Sequence, residues 1–201
     1  MNLLNAYQQL KKLGPTFLTK EAATLLRVSA NYAAITLMRL ANENAIVHLA
    51  RGRWAYDNSV DPLLLPNVLS YPMMSYISLY SALYYHGMID QIPSVVFAIS
   101  NGKTKIFHTP LGTISLHKIK GELFTGYETY GNNSLLMATP EKALFDTLYL
   151  FPTKSHGFKS LTELDISDDF NPAAFEPWFN LIFNKGRRAL IESKLKKILA
   201  F

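Results

Sequence analysis

The strongest constraint on the fold of this chain is residues 19–56, in which two helical patterns precede two short strand patterns. Thr19 is predicted to cap a helix over residues 20–26, because alanines and leucines recur there at helical spacing. Ser29 is predicted to cap a second helix over residues 30–44, whose apolar side chains form one stripe. The short turn between them favours a helix-turn-helix.

A β-hairpin is predicted to follow the second helix. Residues 46–56 read as strand, turn and strand, with Arg51, Gly52 and Arg53 at the turn. Phe17 and Leu18 can add a third strand. Helix, turn, helix and hairpin together predict a winged helix-turn-helix, a unit that lays its second helix in the DNA major groove and its hairpin against phosphates.

Polar side chains at both parts of this unit are the predicted DNA contacts. Asparagine can read adenine, tyrosine and serine can reach phosphate, and arginine can reach phosphate or a base. The predicted residues are Ser29, Asn31, Tyr32, Arg39, Arg51 and Arg53. Ala34, Ile35 and Met38 lie on the same outward face of the helix and are apolar, so an alternative stays open in which this face packs against another domain or a partner.

The charge distribution agrees with a polyanionic partner for the N-terminal unit. The chain has a net charge of +5, and residues 1–60 alone carry seven basic against three acidic side chains. A basic amphipathic helix predicted over residues 186–199 supplies secondary candidates for phosphate contact. These are Arg187, Arg188, Lys194 and Lys197.

Composition places the chain among folded globular proteins. Apolar residues make up 49% and charged residues 17% of the sequence. There is no cysteine, which excludes disulfides and thiolate chemistry and fits a reducing cytoplasm. We find neither a signal-peptide pattern nor an apolar run of membrane-spanning length, so a cytoplasmic location without membrane association is expected.

The rest of the chain predicts a second domain, which gives an α+β fold with boundaries at about 1–59 and 60–201. Its sheet-containing part is placed at about 76–150, opening with a helix over residues 76–85. The C-terminal part, about 158–201, is predicted to be helical throughout. It includes an acidic segment at 161–170 and an aromatic helix at 172–183 with inward Phe183.

No motif in this second domain indicates catalysis, a metal or a cofactor. The histidines are scattered, although His108 and His117 could meet across a hairpin. Lys142 and Asp146 are four residues apart and are predicted to form an ordinary surface ion pair. We therefore expect a protein that is not an enzyme.

Two further motifs resemble those of a known family. Residues 76–88 contain Ser-Ala-Leu-Tyr-Tyr-His-Gly, and residues 138–146 read Ala-Thr-Pro-Glu-Lys-Ala-Leu-Phe-Asp. Together with the winged helix they resemble the antitoxins of bacterial abortive-infection AbiE systems, which are type IV toxin–antitoxin regulators. The resemblance covers roughly residues 1–150.

The resemblance implies an antitoxin that represses its own promoter by binding inverted repeats in double-stranded DNA. It also implies a nucleotidyltransferase-like toxin that is counteracted without a required stable complex. Three rivals stay open. They are a winged-helix regulator with a ligand-sensing second domain, an enzyme that acts on nucleic acid or nucleotides through histidines and acids of the second domain, and an interaction protein whose winged unit packs on its own chain or on a partner.

Overall fold

The structure, a computed structural model, describes residues 2–131, 135–150 and 164–200. It is an α+β protein, as predicted. An N-terminal unit of three helices and a small antiparallel sheet has the winged-helix arrangement, and a mixed six-stranded sheet with helices follows. In the described ranges, no helix is both long and apolar enough to cross a membrane.

The N-terminal unit follows the predicted element order. Its elements are α1 (Leu3–Leu10), a 3₁₀ turn (Lys11–Leu13), β1 (Thr16–Leu18), α2 (Thr19–Leu26), α3 (Ala30–Asn42), β2 (Val47–Ala50) and β3 (Arg53–Ala55). Strand β3 pairs with β1 on one side and with β2 on the other, antiparallel in both cases. The predicted third strand at Phe17 and Leu18 is confirmed.

The two caps of the helix-turn-helix differ from each other. Ser29 caps α3 as predicted, since its hydroxyl oxygen accepts a hydrogen bond from the Tyr32 N–H at 3.2 Å. Thr19 is the first residue of α2 and not its cap. The Glu21 carboxylate accepts from the N–H of Leu18 at 2.7 Å, while the Thr19 hydroxyl accepts from the indole N–H of Trp54 at 2.8 Å.

The small sheet separates two hydrophobic cores. Successive side chains of a strand point to opposite faces. Phe17 and Trp54 accordingly pack among the helices of the N-terminal unit. Their strand neighbours Leu18 and Ala55, together with Val47 and Leu49 of β2, belong to the core of the second domain. One face of the winged unit's sheet is thus buried by the rest of the chain.

The second domain is built on a mixed sheet. Its elements are a 3₁₀ turn (Pro62–Leu64), α4 (Leu65–Ser70), β4 (Ser75–Ile77), α5 (Leu79–Tyr85), β5 (Val95–Ser100), β6 (Lys105–Thr109), β7 (Gly112–Lys118), a 3₁₀ turn (Gly121–Leu123), β8 (Tyr127–Tyr130), β9 (Leu135–Ala138), α6 (Pro140–Leu150), a 3₁₀ turn (Pro172–Phe175), α7 (Glu176–Asn180) and α8 (Lys185–Leu199). The strand order is β6-β7-β5-β4-β9-β8, with β5/β7 and β4/β9 parallel. Every residue of β4 is buried, as expected for a strand covered on both faces.

Several predicted elements of this domain need correction. Residues 75–77 form strand β4, so the helix predicted over 76–85 starts only at Leu79. Of the predicted helical segment 158–170, residues 158–163 lie outside the described residues, and residues 164–170 form no helix. Phe183 is 81% exposed and is not part of the core. Tertiary pairing explains the first correction, because residues 75–77 pair with β5 on one side and with β9 on the other, in the middle of the sheet.

The ion pair of α6 is buried and does not lie on the surface. Lys142 Nζ lies 2.5 Å from Asp146 Oδ1, and both side chains are inaccessible to solvent. The other carboxylate oxygen accepts from the Tyr76 hydroxyl at 2.9 Å and the Ser78 hydroxyl at 2.8 Å. These two hydroxyls come from β4 and the residue after it, so the network ties α6 to the centre of the sheet.

Aromatic rings and one glycine enclose the ammonium group of Lys142. The ring centroids of Phe145 and Trp178 lie 4.9 and 5.2 Å from Nζ, within cation–π distance. Gly126 has φ +74°, and a Cβ there would come within 2.6 Å of the Trp178 ring and 3.0 Å of the Lys142 stem. Burial raises the pKa of the Asp146 carboxyl and lowers the pKa of the Lys142 ammonium, while their mutual attraction opposes both shifts.

Replacing Asp146 with Ala is expected to lower the free energy of unfolding by about 3–5 kcal/mol, because it leaves a buried ammonium without a counter-charge. The matched control is Glu192→Ala. It breaks the other i,i+4 pair, in which Arg188 Nε lies 2.7 Å from Glu192 and both side chains are more than one-third exposed. The free energy of unfolding of that control should fall by only about 0.5 kcal/mol. Urea unfolding measures both, and equal losses would contradict the buried placement of the pair.

Candidate nucleic-acid interface

Helix α3 buries one face and exposes the other. Ala33, Leu37 and Leu40 are buried in the core of the N-terminal unit, with Thr36 beside them. The predicted contacts Asn31, Tyr32 and Arg39 are exposed. The structure therefore presents these three side chains away from the core, as a recognition helix requires.

Apolar side chains share the exposed face of α3. Ile35 is 54% exposed, Met38 is 44% exposed and Tyr32 is 42% exposed. They are each spaced three residues apart along the helix, so they form one continuous stripe with Asn31 and Arg39 at its two ends. No residue of the described chain covers this stripe enough to bury it.

Ser29 lies exposed at the N-terminus of α3. Its hydroxyl oxygen is used as the cap acceptor. A serine hydroxyl also carries one donor hydrogen. The Ser29 hydroxyl can therefore cap α3 and still donate its hydrogen to a phosphate, which is the predicted contact.

The tip of the hairpin is held close to the start of α2. Arg51 and Gly52 form the turn between β2 and β3, with Gly52 at φ +72°. The Gly52 carbonyl accepts from the Thr19 N–H at 3.0 Å. The Arg51 side chain is exposed at this tip, whereas Arg53, the other predicted hairpin arginine, is only partly exposed.

Arg53 binds the backbone of its own chain. Its guanidinium donates to the carbonyl oxygens of Val68 at 2.9 Å, Tyr71 at 2.8 Å and Arg51 at 3.1 Å. The first two carbonyls belong to α4 and the residue after it. The sequence assigned Arg53 to phosphate together with Arg51, but here its donors hold the hairpin against the second domain.

Lys20 makes a second polar connection between the two units. Its ammonium donates to the Tyr71 hydroxyl and lies 4.1 Å from the centroid of that ring. Tyr71 is therefore contacted through its carbonyl by Arg53 and through its side chain by Lys20. No sequence motif indicated this connection, because Lys20 and Tyr71 are 51 residues apart in the chain.

A cleft of about 300 Å³ lies where the hairpin meets the second sheet. Arg53, Lys103 and Lys105 supply basic groups to its lining, and Phe107 and Leu116 supply apolar surface. The Lys105 ammonium lies 4.4 Å from the centroid of the Phe107 ring. The cleft thus combines converging polar groups with an apolar wall.

The predicted basic helix exists as α8, but its arginines are engaged within the fold. Arg187 donates to the Tyr149 carbonyl at 2.6 Å, with its guanidinium 4.1 Å from that ring. Arg188 binds Glu192. Lys194 is half-buried, and Lys197 is exposed. Of the four secondary candidates, Lys197 is the most accessible to a phosphate.

The histidines and acids considered for catalysis bind different neighbours. A ring nitrogen of His86 lies 2.7 Å from the Ala138 carbonyl, and the Glu141 carboxylate accepts from the Asn171 N–H at 2.9 Å. His108 contacts Thr113 and His117 contacts Ser115, so the two do not meet across the hairpin. His156 lies outside the described residues. Within the described part of the chain, no group of three or more His, Asp or Glu side chains is placed to hold a metal ion.

Comparison with known proteins adds no identification. No protein-family model matches the chain, and no curated protein matches it significantly. The resemblance to AbiE antitoxins therefore stays a prediction that rests on the motifs of the sequence.

Arg53→Ala is expected to destabilise the protein by about 2 kcal/mol, since it removes two charge-assisted hydrogen bonds to backbone carbonyls of the second domain. In a chain of this length that corresponds to a decrease in Tm of about 4–8 °C. Arg51→Ala replaces an exposed arginine two residues earlier, in the turn, and should change Tm by less than about 2 °C. Thermal unfolding followed by circular dichroism compares the two, and an unchanged Tm in Arg53→Ala would rule out the bracing role.

Proposed function

We propose that this chain is a DNA-binding transcriptional regulator that represses its own promoter. The observation that carries the proposal is the exposed face of α3 within a winged-helix arrangement, with Asn31, Tyr32 and Arg39 on its surface. Helices in this position read the major groove, and exposed arginines near them bind phosphate. Ser29 and Arg51 would supply flanking phosphate contacts.

The antitoxin part of the proposal rests on the sequence motifs and not on geometry. We propose that the chain acts in the cytoplasm as the antitoxin of a type IV pair and counteracts a nucleotidyltransferase-like toxin without a required stable complex. No catalytic residue, metal or cofactor is assigned in this proposal. Co-expression with the neighbouring gene product should relieve its toxicity, and relief should persist in variants that have lost DNA binding through Arg39→Ala and Arg51→Ala.

Binding of the purified protein to its own upstream DNA is the direct test of the regulator. We expect selective binding over scrambled DNA of equal length, with affinity that falls steeply as salt rises, because each neutralised phosphate releases condensed counterions. Equal, weak binding to both DNAs would refute the proposal and favour a packing role for the winged unit.

Arg51→Ala should weaken binding to all DNA sequences and reduce the salt slope by about 0.9, the value for one lost phosphate contact. Lys120→Ala removes the same charge from the second domain, where the lysine lies over the Phe183 ring at 5.7 Å. This control should leave the slope unchanged. Fluorescence anisotropy across a salt series measures both slopes, and identical slopes would exclude Arg51 from the interface.

A second candidate function is supported by the cleft between hairpin and sheet. Arg53, Lys103 and Lys105 line it, and a few convergent polar groups beside an apolar wall are typical of ligand sites. A small anion bound there would pair with Lys103 and Lys105, next to the arginine that braces the hairpin, which suits a ligand-sensing regulator. Mass spectrometry of small molecules released from the denatured protein tests for such a ligand.

A further inference from the structure

The apolar stripe on the exposed face of α3 is the feature that the proposed function does not yet explain. Tyr32, Ile35 and Met38 expose about half of their surface on a helix that already buries a complete apolar face. Single exposed hydrophobic residues are common, but a continuous group of them indicates a binding surface.

The surroundings of this stripe favour a polyanion as the occupant. Arg27 in the turn before α3, Arg39 on α3 and Arg51 at the hairpin tip are all exposed. Helix α3 itself contains no acidic residue. An apolar protein partner would form no ion pairs with these arginines. DNA has phosphates that can bind the arginines and base edges that can contact the stripe between them.

In the major groove, thymine is the base that offers an apolar group, its C5-methyl. Ile35 and Met38 cannot exchange hydrogen bonds with a base edge, so they can favour a base only through apolar contact. Asn31, at the N-terminal end of the same stripe, has the side chain that pairs with the N6 and N7 atoms of adenine. All three side chains thus suit the two halves of an A·T pair.

We infer that α3 reads thymine methyl groups through Ile35 and Met38, so that the protein selects A·T pairs at the positions beneath this stripe. The inference rests on the proposed DNA binding and specifies which base pairs that site recognises. A G·C pair at these positions carries no C5-methyl group, so Ile35 and Met38 would lose the apolar contact that favours an A·T pair.

The first step of the test selects binding sites from a pool of random-sequence duplexes. A·T pairs should be enriched at the contacted positions. Each enriched thymine is then replaced by deoxyuridine, which removes the C5-methyl and leaves the pairing edge unchanged. Loss of one buried methyl contact should lower affinity by about fourfold.

Variants assign the effect to the two side chains. Ile35→Ala and Met38→Ala should each weaken binding to the thymine duplex and abolish the penalty for deoxyuridine at one position. Met38→Leu keeps an apolar side chain and should retain that penalty. Leu190→Ala removes a similarly exposed apolar residue from α8 and should change neither affinity nor the thymine preference.

The outcomes separate this inference from the proposed function. Selective DNA binding with equal affinity for thymine and deoxyuridine duplexes, or selection of G·C pairs, would overturn the thymine contacts and leave the regulator standing. Absence of selective DNA binding would overturn both. A change from dimer to monomer in Ile35→Ala, seen by light scattering, would assign the stripe to a second copy of the chain and overturn the inference.

Discussion

Strand β3 is the element on which the rest of the structure depends, because its three residues serve two cores. Trp54 faces the helices of the N-terminal unit and donates to Thr19 at the start of α2. Arg53 and Ala55 face the second domain, where Arg53 binds the carbonyls of Val68 and Tyr71. Because successive side chains of β3 point to opposite faces, this one short strand joins the two units directly, and no free linker separates them.

This junction affects how the winged unit could work. The hairpin tip is hydrogen-bonded to the start of α2, and Arg53, which directly follows the turn, braces it against the second domain. An arginine that satisfies its donors internally has little left for phosphate, so the basic character of the hairpin depends mainly on Arg51. The same attachment places the cleft near Lys103 and Lys105 beside the winged unit, so a ligand bound there would be close enough to influence the hairpin.

The pairs Lys142–Asp146 and Arg188–Glu192 show why sequence spacing alone misjudged one site. Both are i,i+4 pairs of opposite charge on a helix, and spacing predicts the same modest surface interaction for each. Helix α6 is buried by the sheet, the aromatic residues of α7 and the preceding 3₁₀ turn, so its pair sits among Tyr76, Ser78 and Trp178. The local charge spacing carries no information about these distant segments, which bury the Lys142–Asp146 pair and make it part of the core.

Local patterns in the sequence determined the winged-helix arrangement, the Ser29 cap, the exposed face of α3 and most strands, because helical and strand periodicities are set over a few residues. Only the tertiary structure decided where Arg53 points, that residues 75–77 form a central strand, and that Lys142 is buried. Each of these depends on partners between 15 and about 70 residues away. Such contacts form when the whole chain packs, and side-chain spacing cannot specify them.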